Sequence, residues 1–282
     1  MSDAQQVKAQ ILSIEPVGSY FHMVLEAPTV AEHVLPGHFV AIAVGGIGSG
    51  MLLRRAFSIH RATANESIEV IFAAHGQGTH WLATQQAGDV LDIVAPLGKP
   101  FALPRQPVPC VIVAGGYGSA PMGMLAQELK ARGCSVDVVL GAATEDRLFG
   151  VTELEQDADS VTVTTDDGSS GVRGRVTDVL PELIQRTNAR AVYACGPMGM
   201  LSAVAKVSAD NNAYSQCAVE ESMACGIGVC MTCVLPVIGD DGVTRMVRSC
   251  VEGPIFRGDR VRWDDVDTIP EDAFGAPVPG GH

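Results

Sequence analysis

Between residues 6 and 94 apolar and polar positions alternate in short runs separated by turn residues. Runs 7–14, 20–26, 38–44, 56–60, 68–74 and 90–94 have strand length and strand composition. Many short strands with little helical periodicity predict a small antiparallel β-barrel. Run 99–109 is dense in proline and can continue neither a ladder nor a helix, so a boundary is expected there. Beyond it the period changes. Strand-like runs at 111–114, 135–141, 160–165 and 191–194 alternate with helical patterns at 121–132, 176–187 and 198–209. That rhythm predicts a parallel α/β sheet, which binds ligands at the carboxyl ends of its strands. The expected fold class is therefore α+β multidomain. It comprises a barrel over 1–103, an α/β parallel-sheet domain over 104–213, a small C-terminal domain over 214–269 and a flexible tail over 270–282.

Residues 34–53 carry no Asp, Glu, Lys or Arg, yet they hold Pro36, His38 and five glycines. The apolar core of that stretch is only strand length, so it reads as a strand and a Gly-rich loop rather than a membrane span. Hydrophobic residues at 47% and charged residues at 18% describe a globular chain. A formal charge of −13 argues against nucleic acid or an anionic membrane as partner. The N-terminus lacks a basic flank followed by an apolar run, so no signal peptide is expected. Eight cysteines in 282 residues, four of them grouped, fit a reducing cytoplasm better than a disulfide scaffold. Cys110, Cys134 and Cys217 lie at or inside apolar runs and read as small core residues.

The grouped four are Cys225, Cys230, Cys233 and Cys250, spaced C-x4-C-x2-C…C. This matches the plant-type ligand pattern for a [2Fe–2S] cluster. Three thiolates from one tight loop require the backbone to wrap inorganic sulfide, and Gly226 and Gly228 permit that approach. Zinc is the rival ligand, but structural zinc sites usually use two C-x2-C pairs, and only one such pair is present. A cluster implies electron transfer.

Two loops in the first hundred residues have matching chemistry. Arg55-Ala56-Phe57-Ser58 can serve a flavin dinucleotide, with guanidinium on pyrophosphate and the aromatic for packing, although an edge strand with surface arginines explains the same residues. Gly78-Thr79 can offer N–H groups to a phosphate or simply form a turn and cap. Gly115, Gly116 and Gly118 follow a strand and precede Pro121, as a pyrophosphate-binding turn would; this is not the G-x-G-x-x-G fingerprint. Cys195, Gly196 and Pro197 end another strand of the same sheet. Asp166 and Asp167 end a third, where a carboxylate accepts from a ribose diol and repels a 2′-phosphate; an Asp/Gly turn is the plainer reading.

With these residues in order, the chain resembles the ferredoxin reductase superfamily, and within it the electron-transfer subunits of NAD-linked dihydroorotate dehydrogenases. The resemblance runs over about 7–263 and rests most specifically on Glu221 to Cys230 and Cys250 to Phe256. The run Asp167-Gly168-Ser169 with Gly174-Arg175-Val176-Thr177-Asp178 matches the family's central signature, and Tyr193 to Pro197 its nicotinamide-side strand end. Tyr117 stands where an aliphatic residue is common. The resemblance implies FAD on the barrel, held by Arg55, Ala56, Phe57, Ser58, Ile71, Phe72, Ala73, Gly78 and Thr79. It implies NAD on the α/β sheet, at Gly115, Gly116, Gly118, Asp167, Gly196 and Pro197, with Cys195 beside the nicotinamide. It implies a [2Fe–2S] cluster on Cys225, Cys230, Cys233 and Cys250. The implied partner is an FMN-containing dihydroorotate dehydrogenase catalytic subunit, in a heterotetramer with two of each chain. Electrons would pass through cluster and FAD to NAD⁺ in pyrimidine biosynthesis. The exposed apolar set Met223, Ile227, Val229 and Met231 would suit docking. The alternatives are an NAD(P)H-dependent ferredoxin-type or oxygenase reductase, and a zinc-stabilised, non-catalytic binding module.

Overall fold

A computed structural model describes residues 4–46 and 48–276. The first six strands are β1 (Gln5–Val17), β2 (Tyr20–Glu26), β3 (Phe39–Ile42), β4 (Arg55–Thr63), β5 (Ser67–Phe72) and β6 (Val90–Leu97). They close a barrel in the order β1-β2-β5-β4-β3-β6, with every pairing antiparallel. Alternation fills it: Ile11, Met23, Leu25, Ile42, Ile59, Ile68, Val70 and Ile93 point inward and are buried. Helix α1 (Pro28–Ala31) and helix α2 (Gln77–Ala83) complete this region.

Strand β5 is buried on both faces, because its outer side is covered by the second half of the chain. Tyr20 and Ile71 from the barrel pack there with Ala120 and Phe149. Polar groups join the same seam. His22 Nε2 lies 2.7 Å from Glu69, and His60 donates from Nδ1 to the carbonyl of Ala120 at 2.6 Å. Burial lowers the His60 pKa, while the hydrogen bond to His22 lowers that of Glu69.

The parallel sheet is built from β7 (Cys110–Gly115), β8 (Val136–Ala142), β9 (Ser160–Thr165), β10 (Val172–Arg173), β11 (Ala191–Cys195) and β12 (Tyr214–Ala218). Helices α3 (Met122–Ala131) and α4 (Val151–Asp157) cover one face; α5 (Val176–Thr187) and α6 (Met198–Asp210) cover the other. Cys110, Cys134 and Cys217 are buried in these cores, and burial pushes the Cys110 and Cys217 thiols up to about 12.

The expected break after residue 213 precedes β12, which pairs with β11 as a strand of this sheet. The reason is local: Gln216 exchanges two hydrogen bonds with the backbone of Ala102, tying the strand to the proline-rich linker. The chain then leaves the sheet, forms the cysteine loop, the hairpin β13 (Val234–Ile238) and β14 (Thr244–Arg248), and the short helix α7 (Ser249–Glu252). It returns as β15 (Ile255–Arg257), antiparallel to β12. In the stretch expected to be flexible, residues 270–276 are fastened: Asp272 pairs with Arg262, Phe274 N–H donates to the Thr244 carbonyl, and Arg245 lies 5.8 Å above the Phe274 ring. The remainder of that stretch lies outside the described residues.

Candidate functional site

The cysteine loop lies on the outer surface of the barrel. Phe39, Ala41 and Leu97 of β3 and β6 pack against Cys233 and Cys250, both 2% exposed. Cys225 is half-buried and Cys230 exposed. The four thiols stand as two pairs. Cys233 faces Cys250, and burial pushes the latter up to about 12. Cys230 is held at about 6 by hydrogen bonds involving Thr232 and Cys225. The N–H groups of Ile227 and Val229 donate to Cys225 Sγ at 3.5 and 3.3 Å. Among the described residues no three or more His, Cys, Asp or Glu gather for a single ion. Two thiol pairs with inward N–H donors fit a two-iron cluster. Gly228 sits at φ +82°, and a Cβ there would come within 2.5 Å of Val251. No other residue fits that turn without displacing its neighbour.

Next to the loop opens a cleft of ≈ 620 Å³, walled by the barrel, the sheet ends and residues 218–223. Arg55, Ala56, Phe57, Ser58, Ile71, Phe72, Ala73 and Thr79 all line it. The adjacent arginines Arg54 and Arg55 differ in their partners. Arg54 is spent on Asp92, bonding its carboxylate and its carbonyl. Arg55 donates only to the Leu53 and Arg54 carbonyls and has no carboxylate partner among the described residues. Gly78 is not in the lining; it lies behind Arg55, and a Cβ there would stand 2.9 Å from the Arg55 Nε. Thr79 organises the adjoining turn: its hydroxyl accepts from the His75 and Gly76 N–H groups and donates to the Gly76 carbonyl. An uncompensated guanidinium beside an aromatic wall (Phe57 and Phe72 rings 5.7 Å apart) fits a flavin dinucleotide.

A second cleft of ≈ 440 Å³ opens at the carboxyl ends of β7, β8, β9 and β11. Gly115, Gly116, Gly196 and Pro197 line it, together with Arg147, Thr164, Asp166 and Arg175. Gly118 faces the first cleft instead. Asp167 is outside both. Its carboxylate accepts from the N–H and hydroxyl of Ser169, which turns it back into its own loop. Asp166 occupies the position the sequence reading gave to its neighbour. The Thr164 hydroxyl is fully buried at the wall of this cleft and has no hydrogen-bond partner among the described residues. Cys195 faces the first cleft beside Gly196. Burial first, then the Glu220 carboxylate, push its thiol up to about 12, which favours the neutral form there.

Arg147 and Glu220 escaped the sequence reading because nothing in local pattern marks a residue that enters a cleft from a distant segment, and Thr164 because an alternating strand does not show which of its hydroxyls reaches the strand end. Arg175 appeared in the family signature without a role. The residue lines the cleft, and its backbone N–H donates to the Asp178 carboxylate.

Comparison with known proteins bears on both clefts and the loop. Residues 220–262 match the iron–sulfur cluster binding domain of dihydroorotate dehydrogenase B, and residues 112–206 match an oxidoreductase NAD-binding domain. The chain is 32% identical over 258 residues to the electron transfer subunit of dihydroorotate dehydrogenase B (NAD(+)) of Desulforamulus reducens, covering 91% of this chain and 98% of that protein. It is 36% identical over 244 residues to the subunit of the same name in Geobacillus kaustophilus, covering 86% and 92%. Among solved structures it is similar to an NADH-dependent reduced ferredoxin-NADP oxidoreductase, with TM-score 0.80, 28% identity, and 92% and 91% of the two chains covered. A ferredoxin NADP+ reductase of Neisseria gonorrhoeae with bound FAD and NADP shares the fold at TM-score 0.60 and 16% identity, over 73% of this chain and 91% of that one.

Proposed function

This chain belongs to the family of dihydroorotate dehydrogenase B electron-transfer subunits, and from that premise we propose how its residues carry the activity. The protein is an oxidoreductase component that passes electrons from an FMN-containing catalytic subunit, through a [2Fe–2S] cluster and FAD, to NAD⁺. When bound, the cluster supplies single-electron transfer and the flavin converts pairs of electrons into hydride. The chain supplies position. Cys225, Cys230, Cys233 and Cys250 hold the irons, with Ile227 and Val229 N–H groups donating to sulfur. Arg55 binds the flavin pyrophosphate, and Phe57, Ile71 and Phe72 pack its ring system. Gly115, Gly116 and Gly196 admit the NAD pyrophosphate with Arg147 and Arg175 nearby, while Asp166 takes the ribose diol. Cys195, in the lining of the same cleft as the flavin, would stand beside the reacting rings as a thiol whose pKa burial raises.

The observation that carries this reading is the contiguity of the cluster and flavin sites: Met223 packs in the layer that contains Cys233 and Cys250, and it also lines the 620 Å³ cleft. Cluster and flavin would then share one wall. Eight free cysteines support a cytoplasmic location, and no helix among the described residues is long and apolar enough to cross a membrane. The test is composition. Purified without air, the chain is expected to contain one FAD, two irons and two sulfides, and Cys250→Ser to lose iron while keeping FAD. A colourless chain with one zinc would overturn the reading. A second reading, reduction of a ferredoxin, is favoured by the 28% identical neighbour of that activity. It predicts electron transfer to ferredoxin in the absence of any catalytic subunit.

A further inference from the structure

The flavin and nucleotide clefts share three lining residues, Tyr117, Gly196 and Glu220. Gly196 lies at the end of β11. Tyr117 comes from the turn after β7, and Glu220 from the segment running to the cysteine loop. The Tyr117 hydroxyl donates to Glu220 Oε1 at 3.1 Å, joining residues 103 positions apart across the opening between the clefts.

We propose that this bond is a gate, and that Tyr117 must leave Glu220 before a nicotinamide can reach the flavin. The proposal rests on the reading of the clefts as FAD and NAD sites. A planar ring needs about 3.5–4 Å of clearance to each neighbouring carbon surface, and two groups 3.1 Å apart do not let one pass between them. The Tyr117 side chain has freedom to move. It is 38% exposed, and its ring meets Tyr20 only edge-on, at 5.7 Å between centroids. The backbone beside it is packed tightly against the end of β11, since a Cβ at Gly118 would be 2.6 Å from the Cys195 carbonyl. Opening is therefore a rotation of the Tyr117 side chain and not a movement of the loop. ADP-ribose, which lacks nicotinamide, can fill the nucleotide cleft with the gate shut. NAD⁺ has to open it, so part of its binding free energy is spent on the Tyr117–Glu220 bond.

The experiment is calorimetric titration of the flavin- and cluster-loaded chain with NAD⁺ and with ADP-ribose, for the native protein, Tyr117→Phe and Tyr117→Ile. Long-wavelength flavin–nicotinamide absorbance is recorded in parallel. Both variants are expected to bind NAD⁺ about tenfold more tightly, to leave ADP-ribose affinity unchanged, and to show stronger long-wavelength absorbance at saturation. Unchanged or weaker NAD⁺ binding in Tyr117→Phe, with ADP-ribose still bound, would overturn the gate and leave the cofactor assignment standing. Failure of the native chain to bind either ligand would overturn the nucleotide reading, and the gate with it.

Discussion

Arg248 donates from Nη1 to the carbonyl of Gly228 at 2.9 Å while its other nitrogen pairs with Glu252 at 2.7 Å. One side chain thus clamps the loop that carries three cysteines onto the helix that carries the fourth. Both charges are about one-third exposed, so solvent screens the pair and the clamp is worth far less than a buried one. Arg248→Met is expected to release iron to a chelator roughly fivefold faster, with flavin content unchanged. Bleaching of the visible spectrum under chelator measures it.

Gly78 predicts a selective loss of flavin. A methyl group in Gly78→Ala would press on the Arg55 Nε and on Val44, at 2.9 and 3.0 Å. Overpacking of this kind costs about 1–3 kcal/mol, and here it falls on the group assigned to pyrophosphate. FAD affinity should drop at least tenfold while the cluster spectrum persists, as a fluorescence titration of released flavin would show.

The two adjacent aspartates should behave differently. Asp166→Ser removes a carboxylate from the nucleotide cleft, and the NADPH/NADH ratio of kcat/KM should rise about tenfold. Asp167→Ser leaves the cleft untouched because that carboxylate serves Ser169, and the ratio should stay put.

Acid should loosen the seam between barrel and sheet. Burial lowers the native pKa of His38 and His60 below 6.5, so the unfolded chain takes up protons first as pH falls. Stability is complete above about pH 6.5 and declines below it, by at most about 1.4 kcal/mol per pH unit for each histidine. The carboxylate of Glu69, depressed by His22, adds a second loss below about pH 4.5 as it protonates. Urea midpoints at pH 7.5 and 5.5 should differ, and His60→Gln should shrink that difference.

Barrel and sheet were legible because their periods differ. Run 20–26 became β2, 160–165 became β9 and 176–187 became α5 with the same bounds, each being a period-2 or period-3.6 pattern bounded by turn residues. Helix α4 went unread because its seven residues bury only Leu154, too little for a period to register. The spacing of the four cysteines singled out residues 225–250, the stretch that the fold sets against β3 and β6. The choice between Asp166 and Asp167 was not legible, since a one-residue difference in a turn is decided by the hydrogen bonds to Ser169. Nor was the division of labour between Arg54 and Arg55, which depends on Asp92 arriving from β6. A pattern tells which residues share a strand; it does not tell which cation has already been neutralised.

We assign docking of the catalytic subunit to the apolar side chains of the cysteine loop. Ile227, Val229 and Met231 are 53, 75 and 52% exposed, beside the cluster ligands. Val229→Asp should weaken association with the catalytic subunit at least tenfold, measured by sedimentation, with the cluster spectrum intact.

The most direct test joins the two chains. The cofactor-loaded protein is mixed without air with the FMN-containing dihydroorotate dehydrogenase subunit of the same organism, dihydroorotate and NAD⁺ are added, and NADH is followed by its absorbance. The account predicts NADH formation that requires both chains and vanishes with Cys230→Ser. A protein whose flavin is reduced by NADH, but which forms no NADH from dihydroorotate with that subunit, would contradict it.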